Sequence, residues 1–515
     1  MRTVVVTGEA LAFEDLVAVA RGAARAELGP GVEQRMERSR AIVAHAAQHG
    51  TVMYGVTTGF GALADTHVGS GDLERMQLAL VRSHSAGVGE PLPDDAVRGL
   101  LLLRARTLCA GYSGVRVELP RRLLELLDRG LLPVIPGKGS VGASGDLAQL
   151  AHLAQPLVGE GRLRRSGDAV RGEAAGRPSG DVLAENGLAP LTLAAKEGLS
   201  LINGTEPMQV MLCLAIAETE LLLKVADIAC AMSVEALLGT DRAYDERVQV
   251  IRPHPGQLDS AHNLRTLLAG SRLIASHRES DHAVQDSYSL RCAPQVHGAV
   301  RDVLAHARRV VEIELGSIVD NPVIVPDGEV MSTGNFHGAP LAFAADMLAI
   351  AVTDLASIAE RRTDRTLDPA FSRGLPAFLA REPGTNSGYM IAQYTAASLV
   401  NECKVLAHPA SVDTIPTSGN QEDHVSMGWT SVRKLRDIVT NARAVFSVEL
   451  VVAAQALDFR ADAEPGAASK AAHDVIRGAV PPLDVDRNVS VQLAAVDALM
   501  PDIVAAVEAA VGELA

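Results

Sequence analysis

Apolar residues recur at intervals of three and four through most of the chain, the spacing that predicts amphipathic helices. The pattern predicts helix over residues 10–50, where EDLVAVARGAARAEL ends near Gly29-Pro30, and over residues 72–128, apart from a break at SAGVGEPLP. From about residue 206 long Ala/Leu/Val segments dominate, such as MQVMLCLAIAETELLLKVADIACAM, APLAFAADMLAIAVTDLASIAERR and LRDIVTNARAVFSVELVVAAQAL. These segments are too long and too periodic for strands.

Four segments depart from the helical pattern. Residues 51–62, TVMYGVTTGFGA, are rich in glycine and threonine and predict a loop with special backbone angles. Residues 131–146 turn from apolar to rich in Gly and Pro, and the polar residues 161–181 predict a surface hairpin or excursion. Residues 321–333, NPVIV-PDG-EVMST, predict a hairpin with a Pro-Asp-Gly turn.

These elements predict a mainly α fold, a bundle of long helices with a mixed, loop-rich N-terminal region. We expect two domains, residues 1–205 with the Gly-rich loops and residues 206–515 with the long-helix core and C-terminal helical region. Aromatic residues make up 3% of the chain, so the core must consist of Ala, Leu and Val. Such small side chains let helices pack closely.

Charge and cysteine content narrow the class of protein. The net charge of −15 and the absence of a basic stripe argue against nucleic-acid binding. The five cysteines are scattered and no pair has CxxC spacing, which indicates a reducing compartment rather than disulfides or structural zinc. The apolar run at the N-terminus is too short for a signal peptide, and we found no uncharged apolar stretch of membrane-spanning length. We expect a soluble cytoplasmic protein.

The Gly-rich segment before residue 146 fits three chemistries. Residues 137–142 match GxGxxG, but a dinucleotide site needs several βαβ units and the chain does not predict them. Gly142-Ala143-Ser144-Gly145 is one residue short of the GxSxG nucleophile elbow and also lacks the α/β context. In the third chemistry, the backbone nitrogen of Gly145 attacks the carbonyl carbon of Ala143. Loss of water from the ring and from Ser144 then leaves an electron-poor alkene.

The surroundings of this tripeptide resemble a known family. GSVGASGDLAQLAHLA is similar to the signature of the aromatic amino-acid ammonia-lyases and aminomutases. YGVTTGFG, LVRSHSAGVGEPL, KEGLSLINGT, VQDSYSLRCAPQV, DNPV, GNFHGAP, SGYMIAQYTAA and QEDHVSMGW also occur in the family's order. The resemblance implies a 4-methylideneimidazol-5-one (MIO) cofactor made from Ala143, Ser144 and Gly145, with no external cofactor.

The resemblance also implies roles for individual residues. Tyr54 in the Gly-rich loop would be the base that removes the β-proton, for which positive charge or hydrogen-bond donors must favour its phenolate. Asn203 would bond the cofactor or the amino acid, although Asn-Gly is also a turn dipeptide. Tyr288 and Arg291 would act in catalysis, and the planar fork of Arg291 suits the substrate carboxylate.

Substrate-binding roles fall to Gln285, His84, Phe336 and Glu422. Gln285, Tyr288 and Arg291 are spaced by three, which would keep them along one side of a helix. Phe336 resembles a packing contact near the cofactor. His84 and Glu422 match the members that act on histidine, since a carboxylate accepts the N–H of an imidazole and a phenyl ring would leave it unpaired.

We therefore expect elimination of ammonia from L-histidine to give urocanate, in a homotetramer as implied by the family. A tyrosine or phenylalanine ammonia-lyase, or a 2,3-aminomutase, remains the main alternative. A scaffold protein with an uncyclised tripeptide is a second alternative. His277 and His282 flank a polar stretch, but their spacing matches no standard ligand pattern, and we predict no metal site.

Overall fold

The computed structural model describes residues 1–59, 61, 66–168, 175–279, 284–460 and 463–515. Helices dominate these residues and the strands are short, so the predicted mainly α fold is confirmed. The three long Ala/Leu/Val segments lie in helices Glu206–Ala236, Ala339–Leu367 and Gly428–Asp458.

The helices, in chain order, are α1 Phe13–Ala20, α2 Val32–His49, α3 Leu73–His84, α4 Asp94–Cys109, α5 Glu118–Asp128, α6 Leu147–Ala154, α7 Ser179–Glu185, α8 Glu197–Ile202, α9 Glu206–Ala236, α10 Glu246–Gln249, α11 Pro255–Leu267, α12 Arg272–Ala275, α13 Tyr288–Arg291, α14 Ala293–Glu314, α15 Ala339–Leu367, α16 Met390–Leu406, α17 Gly428–Asp458, α18 Ala467–Ala479 and α19 Val489–Val511. Short 3₁₀ turns connect several of them.

The strands are β1 Arg2–Val6, β2 Ala24–Leu28, β3 Val88–Pro91, β4 Leu131–Pro133, β5 Pro136–Lys138, β6 Arg162–Arg165, β7 Arg177–Pro178, β8 Val323–Ile324 and β9 Val330–Met331. β1 and β2 pair in parallel, whereas β3 with β5, β4 with β6, β6 with β7, and β8 with β9 pair antiparallel. The β8–β9 pair, in register Val323 with Met331, confirms the predicted Pro-Asp-Gly hairpin. The β6–β7 pair forms part of the predicted polar hairpin, of which residues 169–174 lie outside the described residues.

The predicted helix over residues 10–50 is wrong in its middle. Gly22 has φ +74° and ends α1, and residues 24–28 form a strand instead. Glycine adopts this left-handed conformation without a steric penalty. The strand is fixed by its pairing with β1, from Arg2 with Ala24 to Val6 with Leu28, which is a long-range contact that the helical spacing cannot show.

The chain divides into two compact units. The first unit comprises Met1–Leu214, Arg308–Ala345 and Ala410–Arg433, and the second comprises Ala215–Ala307, Asp346–Pro409 and Lys434–Ala515. Most divisions fall within long helices, so neither unit is one continuous stretch of chain. The two domains predicted at residues 1–205 and 206–515 stay a prediction.

One described helix, α15, has the length and the apolar composition needed to cross a membrane. Of its most apolar window, 61% is buried against the rest of the protein, as is common for core helices.

Candidate active site

The backbone of the Gly-rich loop is left-handed at three of its positions. Gly142 has φ +73°, Ser144 has φ +48° and Gly145 has φ +75°. This conformation is uncommon for a residue with a side chain, and Ser144 adopts it between a small neighbour on either side. Ala143 is buried in an apolar cluster with Val425 and Met427. The loop therefore bends within one turn around Ser144.

Two backbone hydrogen bonds fix this bend against the residues that precede α9. The Asp146 amide donates to the Gly204 carbonyl at 2.9 Å, and the Gly204 amide donates to the Ser144 carbonyl at 3.3 Å. A Cβ added to Gly145 would lie 1.9 Å from the Gly204 oxygen. Only glycine fits this position, because the two backbone segments approach so closely.

Asp146 immediately precedes α6, but its side chain makes no capping hydrogen bond to that helix. Its carboxylate accepts hydrogen bonds from the Ser140 hydroxyl at 2.6 Å and from the Met208 amide, in the first turn of α9, at 3.1 Å. Complete burial raises the pKa of Asp146 to about 7, assisted by the nearby charge of Glu206 and opposed by the two hydrogen bonds. Asp146 thus anchors the loop to the start of α9.

A cavity of about 600 Å³ opens beside the loop within the first unit. It brings together five predicted site residues: Tyr54, His84, Ser144, Asn203 and Glu422. The remaining lining residues are Gly61, Met76, Ala79, Leu80, Ser83, Leu147, Leu199, Ile202, Asn321, Ser418 and Gly419. A volume of this size accommodates a small amino acid.

Tyr54 lies in the predicted loop, which has positive φ at Gly55 and Gly61. Its phenolic oxygen accepts a hydrogen bond from the Gly61 amide at 2.9 Å. This bond holds the Tyr54 oxygen at the cavity wall, which both residues line. Phe60 of the same loop lies outside the described residues.

Asn203 follows α8 and is buried, with 3% of its surface exposed. Its amide nitrogen donates to the Asn321 carbonyl at 2.9 Å, and its own backbone carbonyl accepts from Arg104 at 2.9 Å. Its side-chain oxygen has no hydrogen-bond partner among the described residues. A buried acceptor without a partner is costly, so this oxygen is suited to a ligand with an N–H or O–H group.

Glu422 and His84 lie on the same cavity as the tripeptide. One Glu422 oxygen is 3.3 Å from the Ser144 hydroxyl, and the other accepts from the Thr417 hydroxyl at 2.7 Å. Burial lowers the pKa of His84, against the opposing effects of its bond to the Leu80 carbonyl and the charge of Glu422. Burial thus disfavours the charged form of the His84 imidazole.

Gln285, Tyr288 and Arg291 belong to the second unit. The Arg291 guanidinium lies 4.6 Å from the centre of the Tyr288 ring, and its Nε donates to the Asp286 carbonyl at 3.0 Å. Tyr288 is 71% exposed. The prediction that Gln285 shares a helix with Tyr288 and Arg291 is wrong, because α13 begins at Tyr288. Gln285 precedes this helix and lines a separate cavity of about 120 Å³.

Phe336 is half-buried in the turn that precedes α15, and it is not among the residues that line the cavity of the first unit. In the next position His337 bonds the His424 carbonyl at 3.1 Å, and the two imidazole rings stack at 5.8 Å. The predicted packing role of Phe336 near the cofactor stays a prediction.

Two buried ion pairs adjoin residues of the cavity wall, and the sequence analysis did not predict them. Arg104 contacts Glu206 at 3.2 Å, and Lys196 contacts Asp320 at 2.9 Å, with all four side chains inaccessible to solvent. Lys196 has φ +71°. Lys196 begins the sequence block KEGLSLINGT and Asp320 begins DNPV. Their place in blocks that resemble the family was the one feature of the sequence that could have indicated a role near the site.

The other chemistries of the Gly-rich segment lack their structural context. The GxGxxG match begins in β5, which pairs antiparallel with β3 instead of forming part of a parallel βαβ unit. Metal ligands and disulfides are a separate question. Within the described ranges, no group of three or more His, Cys, Asp or Glu residues could hold a metal ion. His282, one of the two histidines considered for a metal, lies outside those ranges. All five cysteines are free.

Comparison with known proteins finds relatives that match the chain over nearly its whole length. The chain is 50% identical over 513 residues to a histidine ammonia-lyase from Gloeobacter violaceus, covering 99% of this chain and 98% of that protein. It is 49% identical to one from Streptomyces avermitilis, with both chains fully covered. The fold matches crystal structures of a histidine ammonia-lyase from Trypanosoma cruzi, with a TM-score of 0.90 at 39% identity, and of a tyrosine aminomutase from Streptomyces globisporus, with a TM-score of 0.92 at 37% identity.

All of this chain is covered in both structural matches, with 96% of the Trypanosoma protein and 100% of the Streptomyces protein. The sequence profile of the aromatic amino acid lyases matches residues 11–478. The chain belongs to the aromatic amino acid lyase family.

Proposed function

We propose that this enzyme eliminates ammonia from L-histidine to give urocanate, using an MIO electrophile that forms from Ala143, Ser144 and Gly145. The observation that carries this proposal is the position of Glu422, whose carboxylate is 3.3 Å from the Ser144 hydroxyl in a shared cavity. A hydrogen-bond acceptor beside the reacting tripeptide suits an imidazole N–H. The full-length relatives named histidine ammonia-lyase support the same substrate.

The tripeptide fits ring closure. The left-handed backbone at Ser144 and Gly145 folds the chain back on itself, and Ala143 and Gly145 add little bulk at the two reacting atoms. Attack of the Gly145 nitrogen on the Ala143 carbonyl carbon forms the ring. Two waters then leave, one carrying the former carbonyl oxygen and one the Ser144 hydroxyl. When formed, the ring supplies an electrophile that makes the substrate amine a better leaving group.

Residues of the cavity would orient the amino acid and move its proton. Tyr54, with the Gly61 amide donating to its oxygen, would accept the β-proton. The side-chain oxygen of Asn203, which has no hydrogen-bond partner in the part of the chain that the structure describes, would accept an N–H from the ligand. Glu422 would accept the imidazole N–H, with His84 beside it. A phenyl ring would instead leave the Glu422 carboxylate without its partner.

Gln285, Tyr288, Arg291 and Phe336 would complete the site through assembly of several copies of the chain. We propose a homotetramer, and self-association is favoured by exposed apolar side chains that recur along α15, namely Phe343, Met347 and Ile350, which are 45–55% exposed. Such a stripe is typical of an interface. Light scattering of the purified protein tests this assembly. A cytoplasmic location is consistent with the five free thiols.

The deciding experiment combines activity with intact-protein mass. The purified enzyme is incubated separately with L-histidine, L-tyrosine and L-phenylalanine, while the ultraviolet absorbance of urocanate, coumarate or cinnamate is followed. We expect urocanate from histidine and a protein mass two waters below that of the unmodified chain. Coumarate or cinnamate without urocanate would favour the tyrosine or phenylalanine lyase, and a β-amino acid product would indicate an aminomutase.

The matched variants are Ser144→Ala and Ser166→Ala. Ser166 lies in the same unit, and its hydroxyl donates to Asp94 at 2.9 Å, away from the cavity. Ser144→Ala should not show the loss of two waters from the mass of its own sequence, and it should eliminate ammonia from none of the three amino acids. Ser166→Ala should lose two waters and be active like the parent. An active parent enzyme with no water missing would refute the proposed function.

A further inference from the structure

The segment from Thr417 to Glu422 is a left-handed turn on the cavity wall. Ser418, Gly419 and Asn420 have φ of +49°, +60° and +68°. Residues with a Cβ rarely adopt this conformation, and three in succession require the surroundings to hold them. The ends of the turn are joined by reciprocal backbone bonds, from the Thr417 amide to the Glu422 carbonyl at 2.9 Å and in the opposite direction at 3.3 Å.

A side-chain hydrogen bond also joins the two ends of this turn, in addition to the two backbone bonds. The Thr417 hydroxyl donates to Glu422 Oε2 at 2.7 Å, a length typical of a charge-assisted hydrogen bond. The second oxygen, Oε1, is the one that lies 3.3 Å from the Ser144 hydroxyl. Thr417 therefore holds one carboxylate oxygen and leaves the other directed towards the tripeptide.

The turn is also seated against the loop that carries Tyr54. A Cβ placed on Gly61 would lie 2.5 Å from the Ser418 hydroxyl oxygen, so the Ser418 side chain packs against the backbone of Gly61. The Gly61 amide is the donor to the Tyr54 oxygen. The position of the turn is thus linked to the position of the proposed base.

We propose that Thr417 is a positioning residue for substrate recognition: its hydroxyl fixes the rotamer of Glu422, so that one oxygen faces the imidazole N–H of the bound amino acid. This inference rests on the proposed function, and it adds a residue to the recognition of the ring. Thr417 itself touches neither the tripeptide nor the space where substrate would bind, since it is absent from the cavity lining.

Thr417→Val tests the role, because valine preserves the shape of the side chain and removes the donor. We expect KM for L-histidine to rise about tenfold, the value of one hydrogen bond to a charged group, with kcat changed by less than about threefold. Competition by L-phenylalanine, which has no ring N–H, should remain as in the parent. Thr417→Ser restores the donor and should restore KM.

A matched control comes from the same loop. The Thr414 hydroxyl accepts a hydrogen bond from the Val425 amide at 2.9 Å. Thr414→Val therefore removes a hydrogen bond of the loop and leaves the bond between Thr417 and Glu422 in place. Equal KM changes in Thr414→Val and Thr417→Val would overturn the positioning role, because loosening the loop would then suffice. An unchanged KM in Thr417→Val, or failure of Thr417→Ser to restore it, would also overturn it.

Glu422→Gln separates this inference from the function on which it rests. Loss of histidine affinity in Glu422→Gln with an unchanged Thr417→Val refutes only the role of Thr417. Parent-like histidine affinity in Glu422→Gln refutes recognition of the ring by Glu422 itself. Thermal melting confirms that each variant is folded, and Thr417→Ala replaces Thr417→Val if the latter does not fold.

Discussion

Replacing Gly145 with alanine tests whether the close approach of the Gly-rich loop to Gly204 is required for ring formation. The substitution adds one methyl group and leaves both Ala143 and Ser144 in place. If cyclisation depended only on the identity of the serine, Gly145→Ala would still lose two waters. If it depends on the bend shown by the structure, the variant should not cyclise.

The structure sets the size of the effect. The new Cβ would stand 1.9 Å from the Gly204 oxygen and 2.2 Å from its carbonyl carbon, far inside van der Waals contact. Gly204 is held in place because its oxygen accepts from Asp146 and its amide donates to Ser144. Overpacking costs about 1–3 kcal/mol, and the left-handed φ adds about 1–2 kcal/mol for alanine. The bend would therefore be destabilised by about 2–5 kcal/mol.

Gly187→Ala is the matched control. Gly187 also has positive φ, at +70°, but a Cβ there would meet no atom within 4 Å. Its cost is limited to the conformational part, about 1–2 kcal/mol. The difference between the two variants isolates the steric contact with Gly204.

Intact-protein mass and elimination activity are the assays, with thermal melting as the measure of folding. Gly145→Ala should have the unmodified mass, no urocanate formation and a lower melting temperature than Gly187→Ala, which should be modified and active. A folded Gly145→Ala enzyme that has lost both waters would refute the argument, because the ring would then form without the observed bend.

Two further predictions concern buried charges of the first unit and can be followed by urea denaturation with the fluorescence of Trp429, the single tryptophan. Lys196→Met leaves Asp320 buried without its cation, so the free energy of unfolding should fall by about 3–5 kcal/mol; an unchanged midpoint would contradict this. Burial raises the pKa of Glu314 from 4.5 to about 7, so its stabilising contribution is present below pH 4.5 and lost as pH rises through 7. Glu314→Gln should therefore be more stable than the parent at pH 8, by on the order of 2 kcal/mol, but not at pH 4.5, and equal midpoints at pH 8 would contradict this.

Helices were predictable from the sequence because their hydrogen bonds join residues close in the chain and the spacing of their apolar residues is visible in the sequence itself. The segments that became α9, α15 and α17 each repeat this spacing over several turns. The strands were harder, because all nine in the described residues have five residues or fewer and several pair with segments that are distant in the chain. β2 shows the difficulty: ARAEL has ordinary helix formers, and only its pairing with β1 makes it a strand.

The residues that meet in the cavity were predicted by resemblance rather than by spacing. Tyr54, His84, Asn203 and Glu422 come from four separated segments, and nothing in their local sequence requires them to meet beside Ser144. The hydrogen bond between Thr417 and Glu422 could not be predicted from the sequence for a related reason. A threonine before Ser-Gly-Asn is an ordinary turn residue until the left-handed backbone brings its hydroxyl back to Glu422.

The two buried ion pairs, Arg104–Glu206 and Lys196–Asp320, are better explained by the atoms that they position than by a gain in the free energy of unfolding. A buried ion pair gains little over an apolar pair, since desolvation offsets the attraction. Yet Arg104 also donates to the Asn203 carbonyl, and Asp320 is followed by Asn321, whose carbonyl accepts the Asn203 side chain. Both pairs therefore lie beside the atoms that orient Asn203, whose side-chain oxygen has no hydrogen-bond partner among the described residues. If this is their role, Lys196→Met should reduce histidine turnover under conditions in which the variant is still fully folded, and parent-like turnover there would show that the Lys196–Asp320 pair serves the fold alone.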